Sequence, residues 1–130
     1  ACSKDPITQP APTPENKSIE FMVGAGTDYN APAFSDVTVS VSLTVSMMRK
    51  SDGSTSVVWD TLYSAPLPSF PRSDNPQRRL ITVTNNRPDL QNVHVSHVVR
   101  YFKNGQPGAQ HATGFSLENF EHNKTVRVNL

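Results

Sequence analysis

Residues 37–48 read Val-Thr-Val-Ser-Val-Ser-Leu-Thr-Val-Ser-Met-Met. Val37, Val39, Val41, Leu43, Val45 and Met47 take every second position, and Thr38, Ser40, Ser42, Thr44 and Ser46 fill the gaps. Successive side chains of a strand point to opposite faces, so this spacing gathers the apolar set on one face and the hydroxyls on the other. A helix would scatter the same residues around its circumference. The stretch therefore predicts a long strand with one face on a core and the other toward water.

The rest of the chain supplies partners for it. Residues 18–23 read as a first strand, stopped by Gly24-Ala25-Gly26 and followed by a loop over 27–36. Ser51-Asp52-Gly53-Ser54 is a turn, because Asp-Gly suits positions that need positive φ. Residues 56–64 return across it. Val57, Trp59, Thr61 and Tyr63 share one face of this strand, and Val58, Asp60 and Leu62 share the other. Pro66, Pro68, Pro71 and Pro76 then mark an irregular crossover between two sheets. Residues 78–84 and 92–102 are further strands, separated by a turn over 85–89. In the second of them Val93, Val95, His97, Val99 and Tyr101 share a face. Lys103-Asn104-Gly105 signals another hairpin, and strands over 109–117 and 125–130 complete the chain. That makes about seven strands and no helical segment, the pattern of an all-β, antiparallel β-sandwich. The arrangement resembles the immunoglobulin and fibronectin type III sandwiches: a long hairpin bearing Trp59 on its second strand, a proline-rich crossover, then a second hairpin. The cysteine pair of antibody domains is missing from it.

The chain has 130 residues, enough for one domain with one core, and residues 18–130 form that domain. Its 35% hydrophobic content suits a thin two-layer structure. Twelve basic and 11 acidic residues leave a net charge of +1, so no field is expected that would draw in nucleic acid or an anionic surface. No apolar run approaches the roughly 20 residues of a membrane-spanning helix.

The first residues, Ala1-Cys2-Ser3-Lys4-Asp5, resemble the mature end of a bacterial lipoprotein of the Bacteroidota kind. In that family a small residue precedes the cysteine, which becomes lipidated, and a short polar stretch follows it. The resemblance implies lipidation of Cys2 and anchorage at the outer membrane, facing the cell surface or the periplasm; secretion is the other address. Pro6, Pro10, Pro12 and Pro14 lie within residues 1–17. Such a segment favours extended polyproline II at about 3.1 Å per residue, and it reads as a spacer between anchor and domain.

No catalytic constellation emerges. His94 and His97 are three apart in a strand and so point to opposite faces, unable to clamp one metal. His111 would approach Val99 or Arg100 across a regular hairpin. Asp60, Asp74, Asp89, Glu118 and Glu121 are scattered, and no serine stands in a Gly-x-Ser-x-Gly turn. The expectation is a non-enzymatic protein with no cofactor, no metal and no nucleic-acid partner. It would serve as a structural or interaction subunit of a larger assembly of protein chains, a membrane complex or a filament. Hydroxyl-bearing faces such as Thr38 to Ser46, and the strand reaching Leu130, offer face and edge contacts. Trp59 and Tyr101 fit the core. Tyr29, Phe34 and Phe70 fall in loops, and with Tyr63 they are the ligand-binding residues of the alternative reading, a carbohydrate-binding module that stacks a glycan on aromatic rings.

Overall fold

The computed structural model describes residues 14–130. Cys2 and most of the proline-rich segment lie outside the described residues. Seven strands follow one another: β1 (Glu15–Gly24), β2 (Val37–Arg49), β3 (Thr55–Pro66), β4 (Gln77–Asn86), β5 (Gln91–Lys103), β6 (Gln106–Ser116) and β7 (Asn123–Asn129). Single 3₁₀ turns at Pro32–Phe34 and Leu67–Ser69 are the only helical pieces among the described residues. The all-β sandwich expected from the alternating pattern is what forms.

The strands divide into a three-stranded sheet, β4-β1-β7, and a four-stranded sheet, β3-β2-β5-β6. β2 is central, flanked by β3 and β5 in antiparallel register with Val41 opposite both Tyr63 and Val99. Its alternating apolar residues Val39, Val41, Leu43 and Val45 are all 0% exposed. Burying each is worth about 1.5–3 kcal/mol, which fixes the register, since a one-residue slip would turn the whole set to solvent. Across the layer they meet Ile19, Phe21 and Val23 of β1, Ile81 and Val83 of β4, and Val126 and Val128 of β7. Every pairing is antiparallel except one: β7 runs parallel to β1, with Phe21 opposite Val126. The proline-rich segment after Pro66 does cross between sheets, carrying the chain from β3 to β4.

Two local readings need correction. β1 begins at Glu15, so it includes residues 15–17, which the sequence pattern assigned to the spacer. Lys17 occupies an inward position in phase with Ile19 and is 2% exposed, so a lysine stands where the alternation calls for an apolar residue. In β3 a β-bulge interrupts the alternation. Trp59 pairs with Val45, but Val57 pairs with Ser46, leaving Val58 as the extra residue. Val57 is thereby moved to the outer face, away from Trp59, Thr61 and Tyr63, and it is 60% exposed.

The turns follow their sequence signals. Asn104 and Gly105 both have positive φ, 51° and 76°, which closes β5 onto β6 through a two-residue turn. Gly53 sits at φ 72°, and the Asp52 carboxylate accepts hydrogen bonds from the Ser54 N–H and hydroxyl at 2.9 and 2.7 Å. One end of the sandwich collects residues 25–36, residues 67–76 and the β5–β6 turn; the other collects residues 50–54, 87–90 and 117–122.

Candidate functional site

The four aromatic residues read as ligand-binding all reach the same end of the sandwich, but as two separate pairs. Tyr29 and Phe34 meet edge to face, centroids 5.0 Å apart and planes at 80°. The Tyr29 hydroxyl donates to the Leu130 carbonyl at 3.0 Å, tying this loop to the end of β7. Tyr63 and Phe70 lie 6.0 Å apart at 33°, where β3 passes into the crossover toward β4. An open pocket of about 420 Å³ sits beside them, lined also by Ala65, Pro71, Asn75 and Gln77. The Tyr63 hydroxyl is buried without a hydrogen-bond partner, and burial pushes its pKa up. Phe70 is only 8% exposed. Neither pair presents two coplanar open rings: the first is perpendicular, and in the second one ring is covered.

The histidines separate as their spacing requires. His94 faces outward, with Nδ1 3.2 Å from the Ser116 hydroxyl. His97 faces inward opposite Leu43 and is 7% exposed. His111 on β6 lies opposite Val99, and this register brings its ring to 6.3 Å from His97 and 6.2 Å from Tyr101. Burial, and then the neighbouring His111, hold the His97 pKa below its ordinary value. The His97–His111 proximity was not legible from β5 alone, because it depends on the pairing of β5 with β6. Among the described residues no three His, Cys, Asp or Glu side chains gather to hold a metal ion.

A different feature stands out from the arrangement of the layers. Ten of the 11 residues of β6 are exposed, and Phe115 is half-buried. A four-stranded sheet overhangs a three-stranded one, and β6 is the overhang. Its inward positions Phe115, Thr113 and His111, opposite Val95, His97 and Val99, have little above them. Only at the Phe115 end does the other layer reach over, where the Lys124 ammonium stands 5.5 Å from the ring centre. Among the described residues nothing pairs with the outer edge of β6.

Sheet edges are templates for further strands, and proteins blunt them with charge, proline or bulges. β4 carries Arg78 and Arg79, β7 carries Lys124 and Arg127, and β3 carries Asp60 together with the Val58 bulge. β6 carries no Asp, Glu, Lys or Arg. Its protection is confined to one end, where Pro107 and an irregularity between Arg100 and Phe102 of β5 disturb the ladder. From Gln110 to Ser116 the register is unbroken. Sequence reasoning placed a strand here without noticing its edge. The available signal was composition: Gln-Pro-Gly-Ala-Gln-His-Ala-Thr-Gly has small or polar residues on both phases, as a strand covered on neither face would.

The outer face of the same sheet is also sparing of charge. One row across it runs Leu62, Ser42, Val98 and Ala112, and Leu62 is 66% exposed. The hydroxyls of β2 lie in the middle of this face and are mostly half-exposed, because strands on either side shield them. Compared with known protein families, curated proteins and solved structures, the chain matches none.

Proposed function

We propose that this chain is a non-enzymatic β-sandwich module that works by binding other protein chains, as a subunit of an assembly at a bacterial cell surface. The observation that carries the reading is β6: a long strand without Asp, Glu, Lys or Arg, exposed at every residue but Phe115 and unpaired along its outer edge among the described residues. An added strand would find main-chain donors and acceptors there, which is how strand addition gains affinity. The outer face beside it, whose charged residues are Asp60 and Arg100, widens the contact. The address rests on the resemblance carried by residues 1–5, with a lipid on Cys2 and the prolines that follow as a spacer. The non-enzymatic reading rests on the placement of His94 and His97 on opposite faces and of Asp60, Asp74 and Asp89 on separate elements. The charged groups that do gather, Glu15, Lys17, Glu121, His122 and Lys124, are engaged in ion pairs.

A photoreactive residue placed at Gln110, expressed in the native host, tests the interaction. Covalent adducts with protein are expected from Gln110 and not from a control at Thr82, on the outer face of the other sheet. Adducts from neither position, or equally from both, would contradict the reading. The intact mass of the protein from native membranes tests the address: the expected result is a chain beginning at Cys2 with acyl additions, and an unmodified Cys2 would remove the anchor. The carbohydrate-binding alternative draws its support from the pocket beside Tyr63 and its unpartnered hydroxyl. Binding on a glycan array that is abolished by Tyr63→Ala would favour it.

A further inference from the structure

We propose that the partner of β6 is β6 of a second copy of this chain, paired antiparallel about a two-fold axis through Thr113. The proposal rests on the reading of β6 as the interaction edge and names its occupant. Three features of the chain point to a second copy.

The first is the sequence of the regular stretch, Gln110-His111-Ala112-Thr113-Gly114-Phe115-Ser116. A two-fold at Thr113 sets Thr113 opposite Thr113, Ala112 opposite Gly114, His111 opposite Phe115 and Gln110 opposite Ser116. Threonine pairs and aromatic pairs are among the favourable cross-strand neighbours, and Ala with Gly leaves the backbones free to approach. The unbroken register over these seven residues gives an edge of about 24 Å.

The second is charge. Pairing a strand with its own copy sets each side chain against others of the same strand, so an edge whose charges share one sign meets like charge across it. Arg78 and Arg79 set β4 against itself, Lys124 and Arg127 do the same for β7, and Asp60 for β3. β6 alone among these edges meets no such penalty.

The third is room. Residues paired in this register keep the same parity, so the inner faces of both copies lie on one side of the combined sheet. Outside the Phe115 end, where Lys124 reaches over, the three-stranded layer of each copy stops short of β6. Two copies can therefore close to the usual strand spacing of about 4.8 Å without their second layers colliding. The result is one continuous eight-stranded sheet, four strands from each copy.

The test is sedimentation equilibrium over a wide concentration range, with folding checked by thermal melting. Wild type is expected to reach twice the chain mass. Thr113→Lys and Thr113→Glu, at an exposed position, are each expected to remain monomeric, and an equimolar mixture of the two to dimerise again. Recovery in the mixture is something a merely structural defect could not produce. If the Thr113 variants melt early, Ala112→Lys and Ala112→Glu, on the other face of the strand, repeat the comparison. A wild type that stays monomeric at the highest concentration overturns the proposal, as does a Thr113→Lys protein that still dimerises. If wild type is monomeric and Gln110 still crosslinks to other proteins in the host, the self-pairing fails and the interaction reading stands. If Gln110 crosslinks to nothing as well, both fail.

Discussion

Gly24 sits where β1 runs closest to the crossover between the sheets. A Cβ there would lie 2.8 Å from the Ser73 Cα and 3.0 Å from its nitrogen. Those are backbone atoms held in place, since Ser73 N–H donates to the Ala25 carbonyl at 2.9 Å and Ala25 N–H donates to the Pro71 carbonyl at 2.8 Å. Gly24→Ala is expected to cost about 1–3 kcal/mol of stability, read from urea denaturation; an unchanged midpoint would contradict this packing. His97 makes a second prediction at this scale. Its folded-state pKa lies below the ordinary 6.5 because burial disfavours the imidazolium. The unfolded chain then binds a proton more readily, so stability is complete above the unfolded pKa and is lost as pH falls through the folded one. Lowering pH from about 7.5 to about 5.5 should destabilise wild type, and His97→Gln should flatten that slope. An identical slope in the variant would show that His97 is not the group responsible.

At the scale of elements, Lys17 explains how β7 comes to lie beside β1. Its ammonium donates to the carbonyls of Glu118, Asn119 and Glu121 at 3.2, 3.1 and 2.6 Å, with the Glu15 carboxylate 4.0 Å away. The loop over 117–122 carries the chain from one sheet to the other, and β1 holds it from within. The loop also fastens itself: the Glu121 carboxylate accepts from the Glu118 N–H at 2.9 Å and pairs with Lys124 at 3.2 Å, in that order the main reasons its pKa is lowered. Lys17→Ala leaves three partly buried carbonyls without their donor and a gap where the buried side chain stood, and a loss of about 3 kcal/mol is expected in chemical denaturation. A change below about 1 kcal/mol would mean that water replaces the ammonium without penalty. The same residue marks the limit of what the sequence could tell. Period-two alternation marked the half-buried strands, which must alternate, and the hairpin signal at Lys103-Asn104-Gly105 placed β6, which does not. It missed Lys17, whose inward burial depends on carbonyls about a hundred residues away, and it missed the Val58 bulge, which leaves no mark in composition. The candidate aromatics were recognisable as residue types, yet their division into Tyr29–Phe34 and Tyr63–Phe70 depends on how the loops close over the end of the sandwich.

At the scale of the molecule, the decisive fact is the mismatch between a layer of three strands and a layer of four. Equal layers would have covered β6; unequal ones leave it exposed on both faces and unpaired at its outer edge among the described residues. Three edges carry charge and one does not, so a single edge is left open to strand addition. Under the proposed function, this edge is where the protein meets its partner. Amide hydrogen exchange across β6, compared between assembled and highly diluted protein, tests it most directly. Exchange at residues 110–116 should slow on assembly while β3, β4 and β7 stay unchanged. Exchange at β6 that is indifferent to assembly, or slowing confined to another edge, would contradict the account.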